Sequence, residues 1–270
     1  MIAAMKKRVS VIVSPLNGLV PQFLCPSPTV FQYKSEKRSH PAKLQGLCPL
    51  SYGHFDTFLE LKHDHQMRQW ILSSPSKFWR IWLSLLGLAL LLIVVCYFFV
   101  DQRFALFFGA PEQVKVWLFH RHITEIGNAE PYIVLALLGL LWKKVRKYSA
   151  YWLACLLFSG LALHILKFLV GRERPHMTPE HNPSIFEFFS IHHHYQSFPS
   201  GHSQTLFSTA TFIAFLFPKT FPWVFALALY LASTRAIVLA HFTSDVWAGA
   251  FLGLLVSAIT LRRLVQRYGP

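Results

Sequence analysis

Residues 78–100 read FWRIWLSLLGLALLLIVVCYFFV. The run carries one charge, Arg80, near its start, and as a helix it is long enough to cross a hydrocarbon core of about 30 Å. A helix is the form such a run takes in lipid, because every backbone N–H and C=O must then be satisfied within the segment. Further apolar stretches follow: PYIVLALLGLLW (131–142), SAYWLACLLFSGLALHILKFLV (149–170), GHSQTLFSTATFIAFLF (201–217), FPWVFALALYLASTRAIVLA (221–240) and DVWAGAFLGLLVSAITL (245–261). The stretch at 131–142 is short by itself, and the preceding turns FHRHITEIGNAE are expected to extend it. Together these segments predict an all-α polytopic membrane protein with six transmembrane helices.

Composition agrees. Of 270 residues 53% are hydrophobic and only 14% charged, against about a quarter charged in a soluble domain. Lys and Arg outnumber Asp and Glu by 26 to 12, yet no basic stripe interleaved with aromatics marks a soluble nucleic-acid-binding face. No nucleic-acid partner is expected; the cations read as topology determinants facing anionic lipid. In a six-span arrangement KKVRK (143–147), Lys219, Arg262, Arg263 and Arg267 fall on one side with the basic N-terminal segment, which makes that side cytoplasmic. The opposite side receives the 101–130 loop, the 171–200 loop and the junction near His241. Residues 1–76 are polar and proline-punctuated, and are expected to form a cytoplasmic N-terminal segment that is weakly ordered or dispensable, with the six-helix domain at 77–270. The start MKKRVSVIVSPLNGLV is not read as a signal peptide, because Ser14, Pro15 and Asn17 interrupt its apolar stretch. The four cysteines form no CxxC pair and say little about redox compartment.

Three polar groups interrupt the apolar pattern where polarity is expensive. KFLVGRERP carries Lys167 and Arg174, PSGH carries Ser200, Gly201 and His202, and TRAIVLAHFTSD carries Arg235, His241 and Asp245. Each has a plainer reading: a snorkelling lysine, a solvated arginine, a helix cap at Ser200, a packing histidine. Arg235 resists it, since a charge deep in a span costs about 2.5–3.5 kcal/mol on insertion scales, and Asp245 is the one carboxylate of the last three spans available to neutralise it. His241 and Asp245, four apart, would share a helix face, so that Asp245 accepts from one imidazole nitrogen and leaves the other free. Arg235 and His241 would point about 120° apart on one helix, which implies a break between them. A helix opening after Gly201 offers N–H groups and a positive dipole end to an anion. Three fixed cations, Lys167, Arg174 and Arg235, facing that point suggest phosphate.

In order and spacing these groups resemble the type 2 phosphatidic acid phosphatase superfamily, whose pattern is K-x6-R-P, P-S-G-H and S-R-x5-H-x3-D; Thr234 stands where the family's serine is usual. The resemblance covers about residues 78–262. It implies a membrane lipid-phosphate phosphatase with its site at the ends of helices 3 to 6. His241 would be the nucleophile forming a phosphohistidine, Asp245 its orienting partner, and His202 the acid for the leaving alcohol. Lys167, Arg174, Arg235, Ser200 and Gly201 would cradle the phosphate, with no metal and no cofactor. HHH (192–194) is the one metal-like run, but consecutive side chains do not readily share an ion and no Cys or acidic partner stands close. Expected substrates are phosphatidic acid, phosphatidylglycerophosphate, undecaprenyl pyrophosphate or lipid A, and the compact chain and short loops point to a bacterial inner membrane with the site facing the periplasm. Alternatives are lipid-to-lipid phosphotransfer and a non-catalytic lipid-binding or transport protein.

Overall fold

The computed structural model describes residues 71–269, so the expected N-terminal segment lies almost wholly outside the described residues. Packing begins by Ile71, which is buried and whose carbonyl accepts from Arg262 Nη1 at 2.6 Å.

Helix α1 (Pro75–Val95) starts with proline at its first position, where the missing N–H costs nothing. It runs through a π-helical turn, Cys96–Val100, into α2 (Asp101–Gly109). A short 3-10 turn precedes α3 (Val114–Ile123), and a second, Thr124–Gly127, precedes α4 (Ala129–Gly139). Then come α5 (Arg146–Val170), α6 (Gly201–Leu216), α7 (Phe221–Ile237) and α8 (Thr243–Tyr268). The described residues form no strand, only an isolated bridge between Arg172 and Phe186.

Among the described residues four segments are long and apolar enough to cross a membrane by length and composition: Pro75–Gly109, Arg146–Val170, Pro218–Ile237 and Thr243–Tyr268. The other two expected spans are shorter. α6 has 16 residues, roughly 24 Å of rise, and α4 has 11, roughly 17 Å. The turns before α4 do not extend it: Asn128 adopts an extended conformation (φ −62°, ψ 142°) and its Nδ2 donates to Glu125. Along α1 the exposed side chains include Leu83 at 63%, Leu88 at 62% and Leu91 at 61%. An apolar face of this extent suits lipid and not water, and the chain is an integral membrane protein.

α8 is the central helix, packed most extensively on α6 and then on α5 and α1. The close approach of α6 and α8 is made by Gly249 and Gly253, a G-x-x-x-G pair. A Cβ on Gly249 would stand 2.2 Å from the Ser200 carbonyl oxygen, and one on Gly253 2.3 Å from that of Gln204. Hydroxyl and amide side chains tie α6 to its neighbours inside the bundle: Gln204 Nε2 donates to Ser159 Oγ of α5, and Ser257 Oγ of α8 donates to Ser208 Oγ at 2.8 Å. Two apolar clusters flank this seam. One joins Phe78, Trp82, Tyr151, Phe212 and Leu261; the other joins Phe207, Leu231, Ala232 and Val246.

Candidate functional site

The end of α5, the start of α6, the end of α7 and the start of α8 meet, and each contributes a group. α5 stops at Gly171, whose left-handed backbone (φ 56°) caps the helix with an N–H to the Lys167 carbonyl at 3.0 Å. A side chain there would collide with the Glu187 carbonyl, 1.6 Å from a built Cβ. Lys167 is buried, and its Nζ donates to the Gln196 carbonyl across the following loop. Arg174 is half-buried; its Nε donates to the His193 carbonyl and its Nη1 to the Ala240 carbonyl, both at 3.3 Å.

Ser200 caps α6: its Oγ accepts from Ser203 N at 3.5 Å. It is fully buried and does not reach the cavity wall, so the hydroxyl expected to face an anion is used at the cap, whereas Gly201 and His202 do line the wall. The break expected between Arg235 and His241 is present. α7 ends at Ile237, Leu239 turns through φ 59°, and the Arg235 carbonyl accepts the N–H groups of Ala240 and His241 at 3.0 and 3.2 Å.

Two expectations for Asp245 fail. α8 begins at Thr243, so His241 and Asp245 do not share a helix turn; His241 Nδ1 lies 3.9 Å from Asp245 Oδ2, beyond hydrogen-bond reach. Nδ1 instead donates to the Ser197 carbonyl at 2.7 Å. A carbonyl only accepts, so Nδ1 carries the proton and Nε2 keeps its lone pair. Nor does Asp245 neutralise Arg235, whose Nη1 donates to Thr124 Oγ1 at 3.2 Å. Asp245 accepts from Arg172 Nη1 (2.6 Å), Ser197 Oγ (2.6 Å) and Phe242 N (2.9 Å).

Lys167, Arg174, Gly201, His202, Arg235 and His241 line one cavity of about 650 Å³. Its wall continues along α4 and α5 through Asn128, Glu130, Leu157, Gly160 and His164. Two nitrogens of the site, His202 Nε2 and Arg235 Nε, are buried without a hydrogen-bond partner. Such groups are rare in folded proteins and call for a ligand, ion or water. The arrangement can hold a compact anion between three cations with an imidazole lone pair beside it.

His241 lies between two spans. Burial first, then the charges of Arg174, Lys167 and Arg235, hold its pKa well below the usual imidazole value of 6.5. Ring-15N NMR, with His241 assigned from a His241→Asn variant, is therefore expected to show a neutral ring at pH 6.5 that protonates only in more acid buffer. Half-protonation at or above pH 6.5 would contradict this. Of the run at 192–194, His193 reaches the cavity; Arg174 Nη2 donates to its Nε2 at 3.3 Å, and the Arg174 charge, then burial, lowers its pKa.

Several residues that hold the site lie outside the residues singled out in the sequence. Arg172, 1% exposed, donates to Asp245, to Ser244 Oγ (2.7 Å) and to Asp101 Oδ2 (2.8 Å), and lies 4.2 Å over the Phe242 ring. Removing one partner from such a buried charge cluster costs about 3–5 kcal/mol. Ser197 donates its N–H to the Arg172 carbonyl at 2.9 Å while its own carbonyl holds His241. Gly127 packs on the His202 ring, where a built Cβ would be 2.9 Å from Cδ2.

Residues 148–268 match the PAP2 superfamily model. The chain is similar to the lipid A 1-phosphatase of Rhizobium johnstonii, 40% identical over 112 residues, which is 42% of this chain and 46% of the relative. The lipid A 1-phosphatase of Rhizobium etli matches equally, 40% over 112 residues, covering 42% of this chain and 48% of the relative. The chain thus spans about half the length of the curated relatives it matches. Among solved structures it is similar to Aquifex aeolicus LpxE, with TM-score 0.48 and 19% identity over 61% of this chain and 96% of that one. A PAP2-type phosphatidylglycerolphosphate phosphatase from Bacillus subtilis gives TM-score 0.49 and 22% identity over 67% and 94%. The matched segment contains every motif residue named above, while Asp101, Thr124 and Gly127 precede it.

Proposed function

We propose that this chain is a lipid-phosphate phosphatase of six membrane passages, the 77–270 domain, whose site at the ends of α5, α6, α7 and α8 faces the periplasm of a bacterial inner membrane. The observation that carries the reading is the single cavity that gathers His202, His241 and three cations, with His202 Nε2 and Arg235 Nε buried and unpartnered. A phosphate dianion satisfies all of them at once.

In the first half-reaction the His241 Nε2 lone pair forms the P–N bond as the P–O bond to the lipid breaks. His202, entering as imidazolium, gives its proton to the departing oxygen. In the second, neutral His202 takes a proton from water, the new P–O bond forms, and the P–N bond breaks. Phosphate leaves with both histidines restored. Lys167, Arg174, Arg235 and the N-terminus of α6 at Gly201 oppose the charge spread over the transferring oxygens. Ser200 serves by fixing that N-terminus. No step calls for a metal, and the fully buried Asp245 acts through Ser197.

The cavity wall beyond the cations supports a headgroup richer in hydroxyls than glycerol. Asn128, Glu130, His164 and Gln196 offer donors and acceptors there, beside Leu157 and Leu161 for acyl chains. With the lipid A 1-phosphatases as relatives, a glycolipid phosphate such as lipid A is the substrate we favour. Purified protein in detergent with EDTA is expected to release inorganic phosphate, with the highest kcat/KM on a phosphorylated glycolipid in a panel with phosphatidic acid, phosphatidylglycerophosphate and a polyprenyl pyrophosphate. Release from none of the four would overturn the function. Label recovered in a second lipid instead of free phosphate would replace hydrolysis by transfer.

A further inference from the structure

Asp101 stands where a lipid-spanning helix has no ordinary use for a carboxylate. It is 1% exposed, at the start of α2, directly after the π-helical turn Cys96–Val100. That turn matters to its direction. The inward residues of this stretch are Cys96, Asp101 and Ala105, a step of five followed by a step of four. On an uninterrupted α-helix a step of five rotates a side chain about 140° off the starting face; the wider π turn, a feature frequent at functional sites, brings Asp101 back onto it.

Among the described residues, each hydrogen-bond partner of the Asp101 carboxylate donates to it. Ser244 N reaches Oδ1 at 2.9 Å, while Ser244 Oγ and Arg172 Nη2 reach Oδ2. Ser244 Oγ itself accepts from Arg172 Nη1, so its proton points at Asp101. An acceptor of this kind is the ionised carboxylate. Arg172 is thereby shared between two carboxylates, Asp101 and Asp245. Were Asp245 its sole partner, the pair would be electrically neutral. With Asp101 the buried trio carries one net negative charge, and its Asp245 carboxylate stands 3.9 Å from His241 Nδ1.

We infer that Asp101 is a positioning residue for His241, acting through Arg172: it holds the Arg172–Asp245–Ser197 chain that aims the imidazole, and it supplies the net negative charge behind the ring. This rests on the phosphohistidine reading above. The ring becomes cationic when Nε2 bonds to phosphorus with Nδ1 still protonated, and Asp245 Oδ2 lies 3.9 Å from that Nδ1. A charge that favours the ring only in its phosphorylated form raises kcat without tightening substrate binding. The geometry of aim is equally specific. The Arg172 carbonyl holds Ser197 N, Asp245 Oδ2 holds Ser197 Oγ, and the Ser197 carbonyl holds His241 Nδ1.

The test is Asp101→Asn in the full chain, which keeps shape and removes the charge. The expected result is a kcat lower by about 10- to 100-fold, the range for groups that orient a reacting ligand from behind, with KM within about twofold. In the same protein, ring-15N NMR should show the His241 titration midpoint displaced to lower pH, because removal of a nearby negative charge disfavours imidazolium. Ser244→Ala is the second variant: it cuts one contact of the cage and changes no charge, so kcat should fall less, KM hold, and the midpoint stay. An unchanged kcat in both variants, or an Asp101→Asn loss that comes with lower thermal stability and an unmoved His241 midpoint, would overturn the inference. Wild-type inactivity on the lipid panel counts against the phosphatase reading alone, since the NMR midpoint still decides the role of Asp101.

Discussion

His241→Ala is expected to lower phosphate release by on the order of 10⁴ to 10⁶, the cost of removing the proposed nucleophile from a site whose parts act together. The reason is positional. Nδ1 is committed to the Ser197 carbonyl, so the one lone pair available for bonding to phosphorus is Nε2 of this ring, on the wall of the cavity that holds three cations. Alanine also leaves the Ser197 carbonyl without its donor, which costs about 1–3 kcal/mol of stability. His241→Asn separates the two effects, because an amide can donate to that carbonyl but does not form a phosphoenzyme. Both variants should be inactive, with the asparagine protein more stable. Substantial release by either would leave no place for a phosphohistidine. His202→Ala should be milder on substrates with good leaving groups, where the proton it donates matters least, and radiolabel from the lipid should then accumulate on the protein.

Gly249→Ala is expected to produce the second-largest effect, although the residue touches no substrate. The added methyl would sit 2.2 Å from the Ser200 carbonyl oxygen and 3.1 Å from Ser200 N and C. All three are backbone atoms at the mouth of α6, and none can rotate away. α8 must therefore retreat, and the Ser200 N–H to Asp245 carbonyl bond at 3.0 Å goes with it. Overpacking of this kind costs about 1–3 kcal/mol. The same displacement separates Gly201 and His202 from His241, and a misplacement of about 1 Å can cost on the order of 100-fold in rate. Gly87→Ala is the control, since a Cβ there meets nothing within 4 Å and alanine is the better helix former. Thermal unfolding and phosphate release measured together check the claim; a Gly249→Ala protein that behaves like Gly87→Ala would refute the close approach of α6 and α8.

What the sequence made legible follows from where its chemistry is local. The runs at 149–170 and 221–240 correspond to α5 and α7 because a long apolar stretch bounded by charges has few other solutions in lipid. The break after Arg235 could be read from the angle between residues six apart. Lys167, Arg174, Gly201, His202, Arg235 and His241 stand on the wall of one cavity, so their spacing carried real spatial information. The partners of Asp245 were not legible, because the four-residue spacing to His241 says nothing about where α8 begins. With the helix starting at Thr243, Arg172 claims one carboxylate oxygen and Ser197 the other. Asp101 was hidden for a related reason. It sits one residue beyond the apolar run that ends at Val100, where a carboxylate reads as the solvated end of a span, and only the π turn before it directs it inward. α4 was misjudged because Asn128 breaks the chain for a hydrogen bond to Glu125 that composition does not reveal.

The central claim is that one anion is held between His202 and His241 by Lys167, Arg174 and Arg235. A crystal structure of the protein grown with vanadate tests it most directly. The expected result is density for a single vanadate in the cavity, bonded to His241 Nε2, with His202 Nε2 and Arg235 Nε now hydrogen-bonded to its oxygens. Vanadate bound elsewhere, or a filled cavity in which His241 Nε2 does not touch the metal oxyanion, would contradict the account.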